Sequence, residues 1–255
     1  MVSITGPAGS LSVDVSGAAD GEMVLFIHPA NLSAASWSAV AQRIDTRWLA
    51  VDLRAHGGSA RSADLGVAQW AEDCLAVLDQ LHSGPVHLVG GSVGAAVAIE
   101  VAARRAEVVR SVTTVGGGFL PGTGPELLDA IATLGPFEAL QQHAVGEALA
   151  PGVSAALVAQ VTADLSRNDA ATTAAIWQAA LDTDVRPVLD AVRAPLRVVV
   201  GEHDTGIEES RIVARLTGAR LVELPGVGHL PMYEAPAVLT EHIGLSISDS
   251  RGGRP

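Results

Sequence analysis

Short apolar runs alternate with longer amphipathic stretches along this chain. Met23-Val24-Leu25-Phe26-Ile27 is apolar at every position, the pattern of a strand buried on both faces. Residues 48–51, 86–89, 108–115, 196–200 and 220–224 are further short runs rich in Val and Leu, some interrupted by polar residues. Between these runs, residues 34–44, 66–81, 93–104, 210–216 and 234–243 carry apolar positions at helical spacing. Alternation of this kind predicts an α/β fold: a mostly parallel central sheet with helices on both faces. Residues 11–15, Leu-Ser-Val-Asp-Val, alternate strictly and predict an antiparallel edge strand before the parallel set.

The rhythm breaks from 119 to 188. Only helical patterns occur there, at 125–134, 137–149, 154–165 and 170–181, punctuated by Gly135-Pro136 and Pro151-Gly152. In open α/β sheets, ligands bind beyond the carboxyl ends of the strands, and an insertion leaving such an end covers that place. The expectation is therefore a core of residues 1–118 and 189–245, and an inserted helical cap, or lid, over 119–188. A separate small helical domain is the plainer alternative. The polar segment 246–255 is expected to be a flexible tail.

Composition narrows the chemistry. Of 255 residues, 48% are hydrophobic, but only three Phe, one Tyr and four Trp are aromatic, so the core must be mostly Ala, Val and Leu. All 16 basic residues are arginine, set against 28 acidic ones, for a net charge of −12. Without lysine there is no Schiff base, no Ser-Lys pair and no phosphate-loop lysine. Arginines are scattered, with only Arg104 and Arg105 adjacent, which argues against nucleic acid as a partner. The single cysteine, Cys74, forbids an internal disulfide and suits a reducing compartment. It lies in a helical pattern and reads as a buried helix residue rather than a nucleophile. The start of the chain lacks a secretory pattern, and the longest apolar stretch, 93–103, is interrupted by Glu100 and too short for a bilayer. These features predict a cytoplasmic protein with no membrane partner.

The sharpest motif is Gly90-Gly91-Ser92-Val93-Gly94, a G-x-S-x-G. In a glycine-rich chain the pentapeptide alone is weak. Its position, after the apolar run 86–89 and before the helical pattern 93–104, is what makes Ser92 a candidate nucleophile. The new helix would aim free N–H groups at whatever is attached to Ser92. A serine hydroxyl needs a base, and the base needs an orienting carboxylate. Asp204 follows the run 196–200, and His229 follows 220–224, giving the order Ser92, Asp204, His229. Glu202 is the rival acid. His203 reads as a solvated loop residue and His87 as a satisfied strand residue, while His82, His143 and His242 read as surface residues of helices. No histidine spacing fits a metal site, and the glycines do not form G-x-G-x-x-G, so no metal and no cofactor are expected.

Several stretches together resemble the α/β-hydrolase superfamily across nearly the whole chain. They are Phe26-Ile27-His28-Pro29 with Trp37 downstream, Asp52-Leu53-Arg54-Ala55-His56-Gly57-Gly58-Ser59, the Ser92 elbow, Gly201-Glu202-His203-Asp204 and Gly228-His229. The return Asp182-Thr183-Asp184-Val185-Arg186-Pro187-Val188-Leu189 into Arg193-Ala194-Pro195-Leu196 is similar to the small enol-lactonase and esterase branch. The resemblance implies an α/β-hydrolase fold and hydrolysis of a carboxylic ester or lactone through a Ser-His-Asp triad and an acyl-enzyme. It implies oxyanion donors from the N–H groups of Ala30 and Val93, although Pro29 stands where the family has Gly, and Ala55 likewise replaces a common Gly. His28 and His56 match loop-bracing positions. Asn31, Phe119, Leu120, Phe137, Trp177 and Leu230 are expected to line an apolar pocket for a small-molecule substrate. Ser rather than Asp at the elbow argues against haloalkane dehalogenase and ordinary epoxide hydrolase, and the absence of lysine argues against hydroxynitrile lyase. A C–C bond hydrolase acting on a ring-cleavage product, a cofactor-free haloperoxidase or perhydrolase, and a non-catalytic ligand-binding protein remain open alternatives.

Overall fold

The computed structural model describes residues 1–17, 22–81, 84–121 and 126–252. Eight strands form one sheet: β1 (Val2–Gly6), β2 (Gly9–Ser16), β3 (Met23–Ile27), β4 (Arg47–Val51), β5 (Val86–Gly91), β6 (Val109–Val115), β7 (Leu196–Gly201) and β8 (Arg220–Leu224). Their order is β1-β2-β4-β3-β5-β6-β7-β8. β1 and β2 pair antiparallel, as do β2 and β4, and every later pairing is parallel. The alternating segment at 11–15 is therefore not the edge. β2 lies one strand in, and β1, half-exposed and unremarked in the sequence pattern, takes the edge.

Among the described residues the α-helices are, in chain order, α1 (Ser38–Ala41), α2 (Val67–Leu81), α3 (Val93–Arg104), α4 (Glu126–Leu134), α5 (Pro136–His143), α6 (Ala155–Leu165), α7 (Ala170–Leu181), α8 (Ile207–Thr217), α9 (Pro231–Glu234) and α10 (Pro236–Gly252). The sheet divides the core by strand periodicity. On β3, Met23, Leu25 and Ile27 pack with Trp70 and Val77 of α2 and Val97 and Val101 of α3. Val24 and Phe26, on the opposite face, pack with Val40 of α1 and Leu239 and Ile243 of α10. A strand covered on both faces has no polar positions, which is why β3 reads as an unbroken apolar run.

α4 to α7 lie between β6 and β7, where the strand pattern lapses. They are anchored to the sheet's apolar layers: Leu140, Val161 and Leu165 join the Trp37 and Phe26 layer, and Ile176 joins the other. Residues 246–252, expected to be a flexible tail, instead complete α10. Ser246 and Ile247 are buried, and Asp249 pairs with the buried Arg197 at 2.5 Å. A polar, glycine-containing sequence concealed one apolar anchor and one charge pair. Residues 253–255 of that tail, and His82, lie outside the described residues.

Candidate active site

Ser92 sits between β5 and α3 with φ 51° and ψ −125°. Such a conformation costs a non-glycine residue about 1–3 kcal/mol and persists only when its surroundings enforce it. They do so here from both sides. The Ser92 N–H donates to Val115 O of β6, and the Ser92 carbonyl accepts from Ala95 N, each at 2.8 Å. The motif glycines allow the tight approach. A Cβ on Gly90 would collide with the Gly94 carbonyl, and one on Gly94 with the Ile27 and His28 carbonyls. Val93 opens α3, so its N–H has no acceptor within the helix.

Asp204 and His229 come from the loops after β7 and β8, and their side chains meet at 2.9 Å, His229 Nδ1 to Asp204 Oδ1. Asp204 is buried and also accepts from Gly117 N at 3.0 Å and Gly206 N at 2.7 Å. Burial opposes its charge, but the His229 ring and the two N–H groups outweigh burial, so its pKa is lowered. For His229, burial again opposes the charge, and Asp204 outweighs it, so its pKa is raised above the ordinary imidazole value. Glu202, the rival acid, is exposed and accepts from Gly226 N. His203 is exposed, and His87 is buried with Nδ1 2.8 Å from Ser111 Oγ. Cys74 is buried in α2, where burial pushes its thiol well above the usual range.

A run of glycines after β6, which the sequence reading passed over, threads between these groups. A Cβ on Gly118 would lie 3.2 Å from Ser92 Oγ and from Val93 N. One on Gly116 would lie 3.2 Å from His229 Nδ1, and one on Gly117 2.6 Å from Gly206 Cα. Three consecutive glycines at the end of an apolar strand were the visible signal. Glu209 of α8 fixes the next turn, accepting from the N–H groups of Gly118 and Phe119 at 3.1 Å and Leu120 at 3.4 Å.

The loop of Ala30 is braced by histidines. His28 Nε2 accepts from Leu53 N, and its Nδ1 donates to Pro29 O at 2.8 Å. His56 Nε2 accepts from Asn31 N at 3.2 Å, and its Nδ1 donates to Arg54 O. Both rings must be neutral to accept, and burial lowers the pKa of each. Asp52 bridges Ala34 N and Gly58 N at 2.8 Å, and buried Arg54 is clamped by Asp73. Asp52-Leu53-Arg54-Ala55-His56-Gly57 is thus the scaffold beneath this loop. Ala55 adopts φ 66°, which accounts for glycine being the commoner choice there.

Ser92, His229 and Ala30 line one cavity of about 200 Å³ with Leu120 and Trp177. A narrow pouch of about 20 Å³ adjoining the same residues reaches Leu230 and Leu165. Two wider hollows, of about 450 and 570 Å³, lie elsewhere and do not include Ser92. Three expected pocket residues are placed differently. Phe137 is 49% exposed on α5, Phe119 is buried among Ala95, Ile99 and Val198, and Asn31 turns its amide to Thr173 O at 3.2 Å. Helical periodicity identifies apolar positions in the insertion but not which of them face the sheet. His143, expected at the surface, lines the cavity with Glu147, which lies on the π-helical turn Ala144–Ala148.

A sequence model described as the alpha/beta hydrolase family matches residues 24–242. An epoxide hydrolase (EphH) of Mycobacterium tuberculosis is 31% identical over 198 residues, covering 68% of this chain and 90% of that protein. A pimeloyl-acyl-carrier-protein methyl ester esterase of Aromatoleum aromaticum is 30% identical over 256 residues, covering 86% of this chain and 97% of that protein. Among solved structures, a thermophilic esterase from Thermogutta terrifontis superposes with a TM-score of 0.85 at 21% identity, covering 98% of each chain. The enol-lactonase from Burkholderia xenovorans superposes with a TM-score of 0.84 at 20% identity, covering 97% of this chain and 100% of that one. The structural likenesses establish the shared fold, and with the match over residues 24–242 and the relatives at 30–31% identity, they show that this chain belongs to the α/β-hydrolase family.

Proposed function

We propose that this protein is a serine hydrolase of carboxylic esters or lactones. The observation that carries the reading is that the strained Ser92 elbow and the Asp204–His229 pair open on the same cavity. His229 Nε2 takes the Ser92 hydroxyl proton as Oγ attacks the substrate carbonyl carbon. Asp204 holds Nδ1–H, so Nε2 is the basic nitrogen, and steadies the imidazolium that forms. The N–H groups of Ala30 and Val93 receive the oxyanion, and each such donor is worth about 3 kcal/mol in the transition state. Collapse expels the alkoxide, which takes the proton from His229. A water then loses a proton to His229, attacks the acyl carbon, and releases the acid and free Ser92. In a lactone the alkoxide and the acyl group belong to one molecule.

We read residues 119–188 as a cap that closes the acyl pocket, with Leu120, Trp177 and Leu230 as its apolar contacts. Among the described residues no helix is long and apolar enough to cross a membrane. With one buried cysteine, we assign the protein to the cytoplasm. The epoxide chemistry named for the mycobacterial relative does not transfer to a serine. Attack of Ser92 on an epoxide would leave an ether, which a base-activated water does not hydrolyse. The test is a panel of p-nitrophenyl esters and aliphatic lactones with wild type and Ser92→Ala. Turnover lost on Ser92→Ala supports the reading. Absence of turnover, together with ligand binding that ignores Ser92→Ala, refutes it.

A further inference from the structure

Four ionisable side chains border the cavity: His229 and Glu209 from the sheet side, His143 and Glu147 from the insertion. Each imidazole already faces its own carboxylate. His229 Nδ1 is 2.9 Å from Asp204, and His143 Nδ1 is 3.4 Å from Glu147. Contact with His143 holds the Glu147 carboxyl below its usual range, so it is ionised at neutral pH. Glu209 is an additional carboxylate, held by three backbone N–H groups. Among the described residues no arginine lines the cavity, and the chain contains no lysine. An entering anion would therefore meet two carboxylates and no uncommitted cation.

The geometry of His143 points the same way. Its Nδ1 is turned toward Glu147 at 3.4 Å, so this nitrogen is directed at a carboxylate rather than at an entering group. The ring also stands nearly perpendicular to that of Trp177, with centroids 4.9 Å apart, and Trp177 lines the same cavity. This segment is not free to swing away. Ala148 O accepts the His229 N–H at 2.9 Å, and Glu234 accepts from Ala150 N at 2.9 Å and from Gly228 N at 3.1 Å. The polar edge of the insertion is thereby tied to the loop that carries His229.

We propose that His143, Glu147 and Glu209 select substrates by charge, admitting esters or lactones that are neutral or bear a cationic or hydrogen-bond-donating group and rejecting those bearing a carboxylate. The turnover arm of the test rests on Ser92 acting as nucleophile, but the binding arm does not. Three esters of similar length serve: methyl hexanoate, monomethyl adipate, and the methyl ester of ε-trimethylammonio-hexanoate. Turnover is read as kcat/KM on wild type, and binding as Kd by calorimetry on Ser92→Ala. The adipate monoester is expected to be at least tenfold poorer than methyl hexanoate in both measures, and the trimethylammonio ester at least equal to it. Glu147→Gln should narrow the adipate gap at least threefold, whereas Glu147→Asp should keep it. Damage to packing alone would move all three esters together. Equal binding of the anionic and neutral esters, or an adipate gap untouched by Glu147→Gln, overturns the proposal. If wild type hydrolyses none of them while Ser92→Ala still ranks them by charge, the ester-hydrolase reading fails and the charge selection stands.

Discussion

In the proposed mechanism His229 carries two opposed demands, since it must be neutral to act as a base and charged to gain most from its contact with Asp204. Asp204 raises its pKa, so kcat/KM should climb with pH through an apparent value above the free imidazole figure of about 6.5. Asp204→Asn should remove that upward shift and cut kcat on the order of 10⁴-fold, because the wrong tautomer is then favoured. A pH profile of both proteins checks this. Stability follows the opposite sign at other histidines. His28, His56, His87 and His242 all have lowered values in the fold, so the unfolded chain takes up their protons first and stability falls as pH drops below about 6.5. His229 contributes in the other sense, with stability present below about 6.5 and lost as pH rises through its raised value. The balance predicts a Tm that declines from pH 7 to pH 5. A flat or rising profile would contradict it. At this scale the candidates Ser92, Asp204 and His229 were legible because each lies in the short loop after an apolar run. His143 and Glu209 were not, because nothing in a helix's own sequence tells which neighbour its polar side will meet.

Glycines set how closely the elements approach. Gly94→Ala drives a methyl into the carbonyls of β3's end and should destabilise the protein by about 3 kcal/mol, read in denaturant unfolding. Gly118→Ala acts differently. Its methyl lies beside Ser92 Oγ and Val93 N, at a φ of 110° that strains alanine, so kcat should fall about a hundredfold while Tm drops less than for Gly94→Ala. Equal losses from the two variants in both measurements would deny this division. The strands and the four insertion helices were readable from periodicity. β1 was missed although Val2-Ser3-Ile4-Thr5 alternates, because the run is only two alternations long and ends at a glycine, and the strand is mostly exposed. The facing of the insertion was missed because periodicity gives the apolar positions of a helix but not which neighbour each face will meet. Phe137 and His143, both on α5, exchange the exposed and cavity-facing places the sequence assigned them.

Across the whole molecule, strand–helix alternation and the motif order led to the observed α/β-hydrolase fold, because each parallel strand must deliver its loop to the same edge of the sheet. The chain's end was misread: α10 buries Ile247 beneath the sheet and supplies Asp249 to Arg197. Truncation after Leu245 should therefore cost about 3 kcal/mol and lower Tm by roughly 10 °C, from lost apolar burial and a buried cation left unpaired. Thermal unfolding of the truncated chain checks this, and an unchanged Tm would mean that the last turns contribute nothing. The central claim, that the elbow serine is the nucleophile of an acyl-transfer site, is tested most directly by labelling the folded protein with a fluorophosphonate and mapping the adduct by mass spectrometry. The account predicts one phosphonyl group on Ser92, with labelling lost in Ser92→Ala and strongly slowed in His229→Ala. A folded wild-type protein that stays unlabelled, or an adduct on any other serine, would contradict it.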